Sequence, residues 1–88
     1  MWVNCLDSME IHFSKIEQIS DKVWRCVVAP KDLRSGVKLT TPEYKIIEGG
    51  FEGEVVSTAS DGKEITVKAV KGRPGEGRTY SVERSWAV

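Results

Sequence analysis

Short runs of Val, Ile, Thr and aromatic residues recur along the chain, separated by Gly, Pro, Asp and Ser, and no heptad or long amphipathic helix can be fitted. That is the pattern of an all-β, mainly antiparallel domain. The clearest unit is Glu54–Val70, centred on Asp61-Gly62. Asp-Gly between alternating runs predicts a two-residue type I′ hairpin, because both central positions of that turn take positive φ. This turn places Ser60 opposite Lys63, Thr58 opposite Ile65 and Val56 opposite Val67. Val56, Thr58, Ile65, Val67 and Ala69 then share one face. The other face is mostly polar, so the turn and the burial pattern agree on one register.

A second hairpin is predicted with Ser20, Asp21 and Lys22 as its loop, which sets Glu17 opposite Arg25 and Ile16 opposite Cys26. Ile16, Trp24, Cys26 and Val28 then face one way. Ile11 and Phe13 have the opposite parity, which calls for a bulge near Ser14-Lys15. From about Arg78 to Trp86, Thr79, Ser81, Glu83 and Ser85 alternate with Tyr80, Val82, Arg84 and Trp86, the period of a strand. Val37–Thr40 reads as another short strand. Residues 42–48 carry two signals. Thr41-Pro42-Glu43 looks like a helix start and Gly49-Gly50 like its stop, whereas Tyr44-Lys45-Ile46-Ile47 is strand material. A short helix near 42–48 is the favoured reading.

Five to six short strands in a single open sheet would leave an apolar face wet, so the fold expected is a small SH3-like barrel or compact sandwich. At 88 residues the chain is one domain, 1–88, with residues 1–9 expected to be loosely ordered. Gly50-Phe51-Glu52-Gly53-Glu54-Val55-Val56, followed by the Asp61-Gly62 hairpin, slightly resembles the glycine-containing hairpin of KOW-type SH3-like barrels. The resemblance implies a barrel that binds RNA or protein. It covers under a quarter of the chain, rests on glycines and valines, and assigns no family.

Composition narrows the function classes. Thirteen Lys and Arg balance thirteen Asp and Glu, so no overall field draws in nucleic acid or an anionic membrane. No run approaches the roughly 20 apolar residues of a membrane span, and the first residues carry no basic leader. A soluble, cytoplasmic protein without a membrane partner is expected. Cys5 and Cys26 are too few and too far apart for a metal knuckle or a redox pair, and are expected to be reduced. The single histidine, His12, sits in a strand with no sequence partner for acid–base work. Gly72-Arg73-Pro74-Gly75-Glu76-Gly77 is glycine-rich but leads into a strand, so it is not a phosphate cradle at a helix start. No enzyme activity, metal or cofactor is expected.

Charge is nonetheless uneven. Residues 1–21 hold Asp7, Glu10, Glu17 and Asp21 against Lys15, whereas 63–88 hold six cations against three carboxylates. The two ends either meet within one barrel or form a self-complementary dimer contact. The basic end interleaves cations with rings, which makes Lys71, Arg73, Arg78, Tyr80, Arg84 and Trp86 the candidate binding residues, although core is the favoured reading of Tyr80, Val82 and Trp86, with Arg84 packed at the rim. The expected function is a non-enzymatic protein-binding or assembly module, self-association included, that uses the 71–78 loop and the strand after it. The alternative is an RNA- or single-stranded-DNA-binding module using the same strip, with cations for phosphates and rings for bases.

Overall fold

The computed structural model describes residues 4–34, 39 and 44–87, and the side chains of 8–33, 39 and 44–84. Six antiparallel strands close into a barrel: β1 (Asn4–Ser20), β2 (Val23–Val28), β3 (Tyr44–Glu48), β4 (Phe51–Thr58), β5 (Glu64–Lys71) and β6 (Thr79–Ala87), with one short helix, α1 (Pro30–Arg34). Around the barrel the order is β1-β2-β5-β4-β3-β6. The domain is a small SH3-like all-β barrel, one of the two architectures that the alternating pattern leaves open.

β1 is the longest strand and turns a corner. Its first half, from Asn4 to His12, pairs with β6, and its second half, from Phe13 to Ser20, pairs with β2. The expected bulge is there, a register shift between Phe13 and Lys15. The extra residue reverses the side-chain parity, so Ile11 and Phe13 before it and Ile16 after it all reach the interior. Ile16 faces Cys26 and Glu17 faces Arg25 as predicted, but a further shift between Gln18 and Ser20 reduces the turn to Asp21-Lys22. Of residues 1–9, expected from the sequence to be loosely ordered, 4–9 lie in β1 opposite β6 and 1–3 fall outside the described residues. Asp7 stands across from Arg84 in that ladder, so the acidic start and basic end of the chain are neighbours within one barrel.

The predicted helix at 42–48 is not formed over Tyr44–Glu48, which is strand β3. Tyr44 and Ile46 are buried at alternate positions, and β3 bonds to β4 on one side and β6 on the other. Two ladders hold residues that local propensity leaves undecided. Gly49-Gly50 therefore acts as a hairpin turn between Glu48 and Phe51 instead of a helix stop, with Gly50 at φ 88°. Of the strand expected at 37–40 only Leu39 falls among the described residues, and it is buried in the core. Residues 40–43, which hold the expected helix start, lie outside them.

The helix that does form is α1, for which Pro30 is well suited because a helix leaves its first N–H groups unbonded. Asp32 sits in its first turn and accepts the backbone N–H of His12 at 2.7 Å. Leu33 packs against the barrel core beside the β4–β5 turn.

The β4–β5 turn also differs from expectation. Positive φ among the described residues is confined to glycines, so Asp61 does not take the type I′ conformation. Gly62, at φ 74°, instead ends a β-turn in which its N–H bonds to the Ala59 carbonyl at 2.9 Å. Thr58 still faces Ile65, but a bulge between Val55 and Ser57 places Val55, not Val56, opposite Val67. Val55 is accordingly 1 % exposed and Val56 44 %. Val55→Ala is expected to cost about 1.5–3 kcal/mol, from two buried methyl groups and the space they leave. Val56→Ala is expected to stay within about 0.5 kcal/mol. Urea melts of the two variants check the bulge, and equal losses would place it elsewhere.

Ile11, Phe13, Trp24, Cys26, Val28, Tyr44, Ile46, Phe51, Val55, Ile65, Val67, Tyr80 and Val82 fill the interior. Burial pushes the Cys26 thiol up to about 12, so this free cysteine stays protonated and is a packing residue, not a nucleophile. No described helix is long and apolar enough to cross a membrane.

Candidate binding site

The barrel has two ends. One carries α1 and the β4–β5 turn. The other gathers the Asp21-Lys22 turn, the Gly49-Gly50 turn and the long loop from Gly72 to Arg78, because β5 ends beside the starts of β2 and β4. At this second end an open cleft of about 330 Å³ is lined by Gln18, Asp21, Lys22, Trp24, Ala69, Val70, Lys71, Gly72 and Arg73. Trp24 and Ala69 are core residues, only 8 % and 7 % exposed, and form its floor. Val70, at 58 %, stands open to solvent. Three cations and one carboxylate surround the opening. The ion pairs among the described residues are Arg25–Glu17 and Arg78–Glu48, neither of which involves this group.

Tertiary contacts hold the two walls together. The Ala69 N–H donates to the Lys22 carbonyl at 2.7 Å, tying β5 to the β1–β2 turn. Gly72 has φ 74° and lies so close to the Gly50 backbone that no Cβ fits between them. Further along the loop, the Gly77 N–H donates to the Phe13 carbonyl at 2.8 Å. The Tyr80 hydroxyl accepts the Gly75 N–H and donates to the Gly75 carbonyl.

The structure divides the six candidate residues. Lys71 and Arg73 are exposed and share the cleft. Arg78 is exposed but leans toward β3, with Nε 3.5 Å from Glu48 Oε1. Tyr80 is 1 % exposed, with its ring centroid 4.9 Å from that of Phe13 and 5.6 Å from that of Phe51. Its candidacy as a surface ring is thereby corrected in favour of the core reading: it points inward with Val82, where its polar tip holds the loop. Burial is the main cause that raises the phenol above its ordinary pKa. Arg84 has the same parity but sits half-buried, its guanidinium carbon 5.6 Å from the Tyr44 ring centroid. Trp86 lies opposite Cys5 in the ladder, and its side chain falls outside the described residues. The six therefore do not form one strip.

Gln18, Asp21, Lys22, Trp24, Ala69 and Val70 are the cleft residues that sequence reasoning did not join to Lys71 and Arg73. Their connection depends on Val23 pairing with Lys68, a contact between residues far apart in the chain. Lys71 also borders a second hollow, of about 260 Å³, with Glu48 and Glu52. Outside the cleft lining, His12 Nδ1 lies 3.3 Å from Thr79 Oγ1, at the start of β6. Among the described residues no group of three or more His, Cys, Asp or Glu is placed to hold a metal ion. Comparison with known protein families, with curated proteins and with solved structures finds no match for the chain.

Proposed function

We propose that this barrel is a non-enzymatic, soluble, cytoplasmic protein-binding or assembly module, with the cleft end of the barrel as its contact face. The observation that carries this reading is the joining of Lys71 and Arg73, at the start of the 71–78 loop, with Lys22 and the exposed Val70 over a floor of core residues. Charged rims around an apolar patch suit a protein surface, where charge sets partner choice and buried apolar area holds it. The reading as a single-strand nucleic-acid binder draws less support, because the Tyr80 ring is inside the barrel. Zero net charge also offers little of the counterion release that drives nucleic-acid binding. Self-association remains within the proposal. The uneven charge along the chain lends it less weight, since Asp7 and Arg84 are cross-strand neighbours in one barrel.

The experiment is capture from nuclease-treated extract by the immobilised protein, set beside a Lys71→Glu/Arg73→Glu variant. Protein retained by the original chain and lost by the variant is the expected result. Capture that disappears with nuclease, or that the variant retains in full, would overturn the reading.

A further inference from the structure

The cleft has features that select among protein partners. Its three cations come from two separate segments, Lys22 from the β1–β2 turn and Lys71 and Arg73 from the end of β5 and its loop. Asp21 is the one carboxylate in the lining, and Glu52 stands across the ladder from Lys71. With Asp21 beside Lys22 and Glu52 beside Lys71, the cationic excess is strongest toward Arg73. A volume of about 330 Å³ lies at the small end for ligand pockets, room for a few side chains but not for a folded element. The floor is nearly closed: with Trp24 only 8 % exposed, no base can lie flat on the indole. An aliphatic side chain can still meet its edge and the open face of Val70.

We propose that the cleft receives an extended acidic segment of a protein partner, its carboxylates on Lys22, Lys71 and Arg73 and an adjacent aliphatic side chain against Val70 and Trp24. This rests on the reading of the barrel as a protein-binding module and names the partner's chemistry. Carboxylates suit the site because a guanidinium can hold one through two parallel hydrogen bonds and an ammonium adds a point charge. The walls are already joined by the Ala69–Lys22 hydrogen bond, and Gly72 is braced from behind by the Gly50 backbone. Binding therefore orders little besides the peptide and the three long side chains, which keeps the entropic cost low.

The test is fluorescence anisotropy of a labelled peptide of alternating Glu and Leu, with its Gln-for-Glu counterpart and a labelled oligothymidylate as rival probes. Saturable binding of the acidic peptide is expected, weakened about tenfold or more by Arg73→Glu. Lys63→Glu, in the turn at the far end of the barrel, is expected to leave it unchanged. Raising the ionic strength from about 0.01 M to about 0.15 M shortens the Debye length from about 30 Å to about 8 Å and should weaken binding as well. Equal affinity for the Gln peptide, tighter binding of the oligonucleotide, or indifference to Arg73→Glu would overturn the proposal. The extract experiment separates the two levels. Capture that depends on Lys71 and Arg73 but is not competed by the acidic peptide removes this inference and leaves the binding module standing. Capture that fails altogether removes both.

Discussion

Tyr80→Ala is expected to cost about 3–5 kcal/mol, the usual penalty for emptying a buried aromatic site. Small domains hold only about 5–15 kcal/mol in total, so most of the stability of this barrel would go. Tyr80 is among the largest side chains in the core, packed between Phe13 and Phe51, and its hydroxyl bonds both the N–H and the carbonyl of Gly75. A companion variant separates packing from polar anchoring. Tyr80→Phe keeps the ring and leaves the Gly75 N–H without its acceptor, so a smaller loss of about 1–3 kcal/mol is expected. In that variant amide exchange should speed up at Gly75, while the Gly77 amide, held by Phe13, changes less. Guanidinium melts and native-state exchange measure both. A Tyr80→Ala protein as stable as the original would place the ring at the surface and restore it as a candidate stacking platform.

Gly72→Val is expected to destabilise the barrel by about 3 kcal/mol or more. Two effects combine. A side chain in the left-handed region costs roughly 1–2 kcal/mol, and more for a β-branched residue. In addition, its Cβ would fall on the Gly50 carbonyl, a backbone atom that cannot swing aside as a long side chain would. Relief requires the β3–β4 turn and the start of the 72–78 loop to separate, at an overpacking cost of about 1–3 kcal/mol. Gly49→Ala is the control, because a Cβ at that position meets nothing within 4 Å. A denaturation midpoint unchanged by Gly72→Val would show that the loop does not approach Gly50. Because Gly72 also lines the cleft, a folded remnant of this variant should lose acidic-peptide binding too.

Much of the fold was legible because strands expose a period of two and turns demand particular residues. The shared face of Tyr80 and Val82, the core positions Trp24, Cys26 and Val28, and the bulge after Phe13 follow from alternation and its interruption. Near the turns, register was legible too: Thr58 faces Ile65 and Ile16 faces Cys26. It failed one bulge further on, at Val55 and Val56. Two adjacent valines carry no local mark of which one turns inward, and the pairing with Val67 makes the choice.

The closed ring itself, β1-β2-β5-β4-β3-β6, came from pairings with no local signature. β3 is the clearest case. Its residues balance helix and strand propensities, and neighbours on both sides tip them to strand. The candidate site divides in the same way. Lys71 and Arg73 could be picked out because cations cluster around a glycine-rich loop. Tyr80 stayed a binding candidate beside the favoured core reading because alternation groups residues onto a face without saying which side of the closed barrel that face takes. Lys22 and Trp24 could join the site only once Val23 had paired with Lys68. Alternation and turn chemistry act over a few residues, so the sequence alone determined strands, turns and much of the core. Barrel closure brings distant strands together through backbone bonds open to any side chain, so which charges share a cleft and which ring is buried was decided only in the tertiary structure.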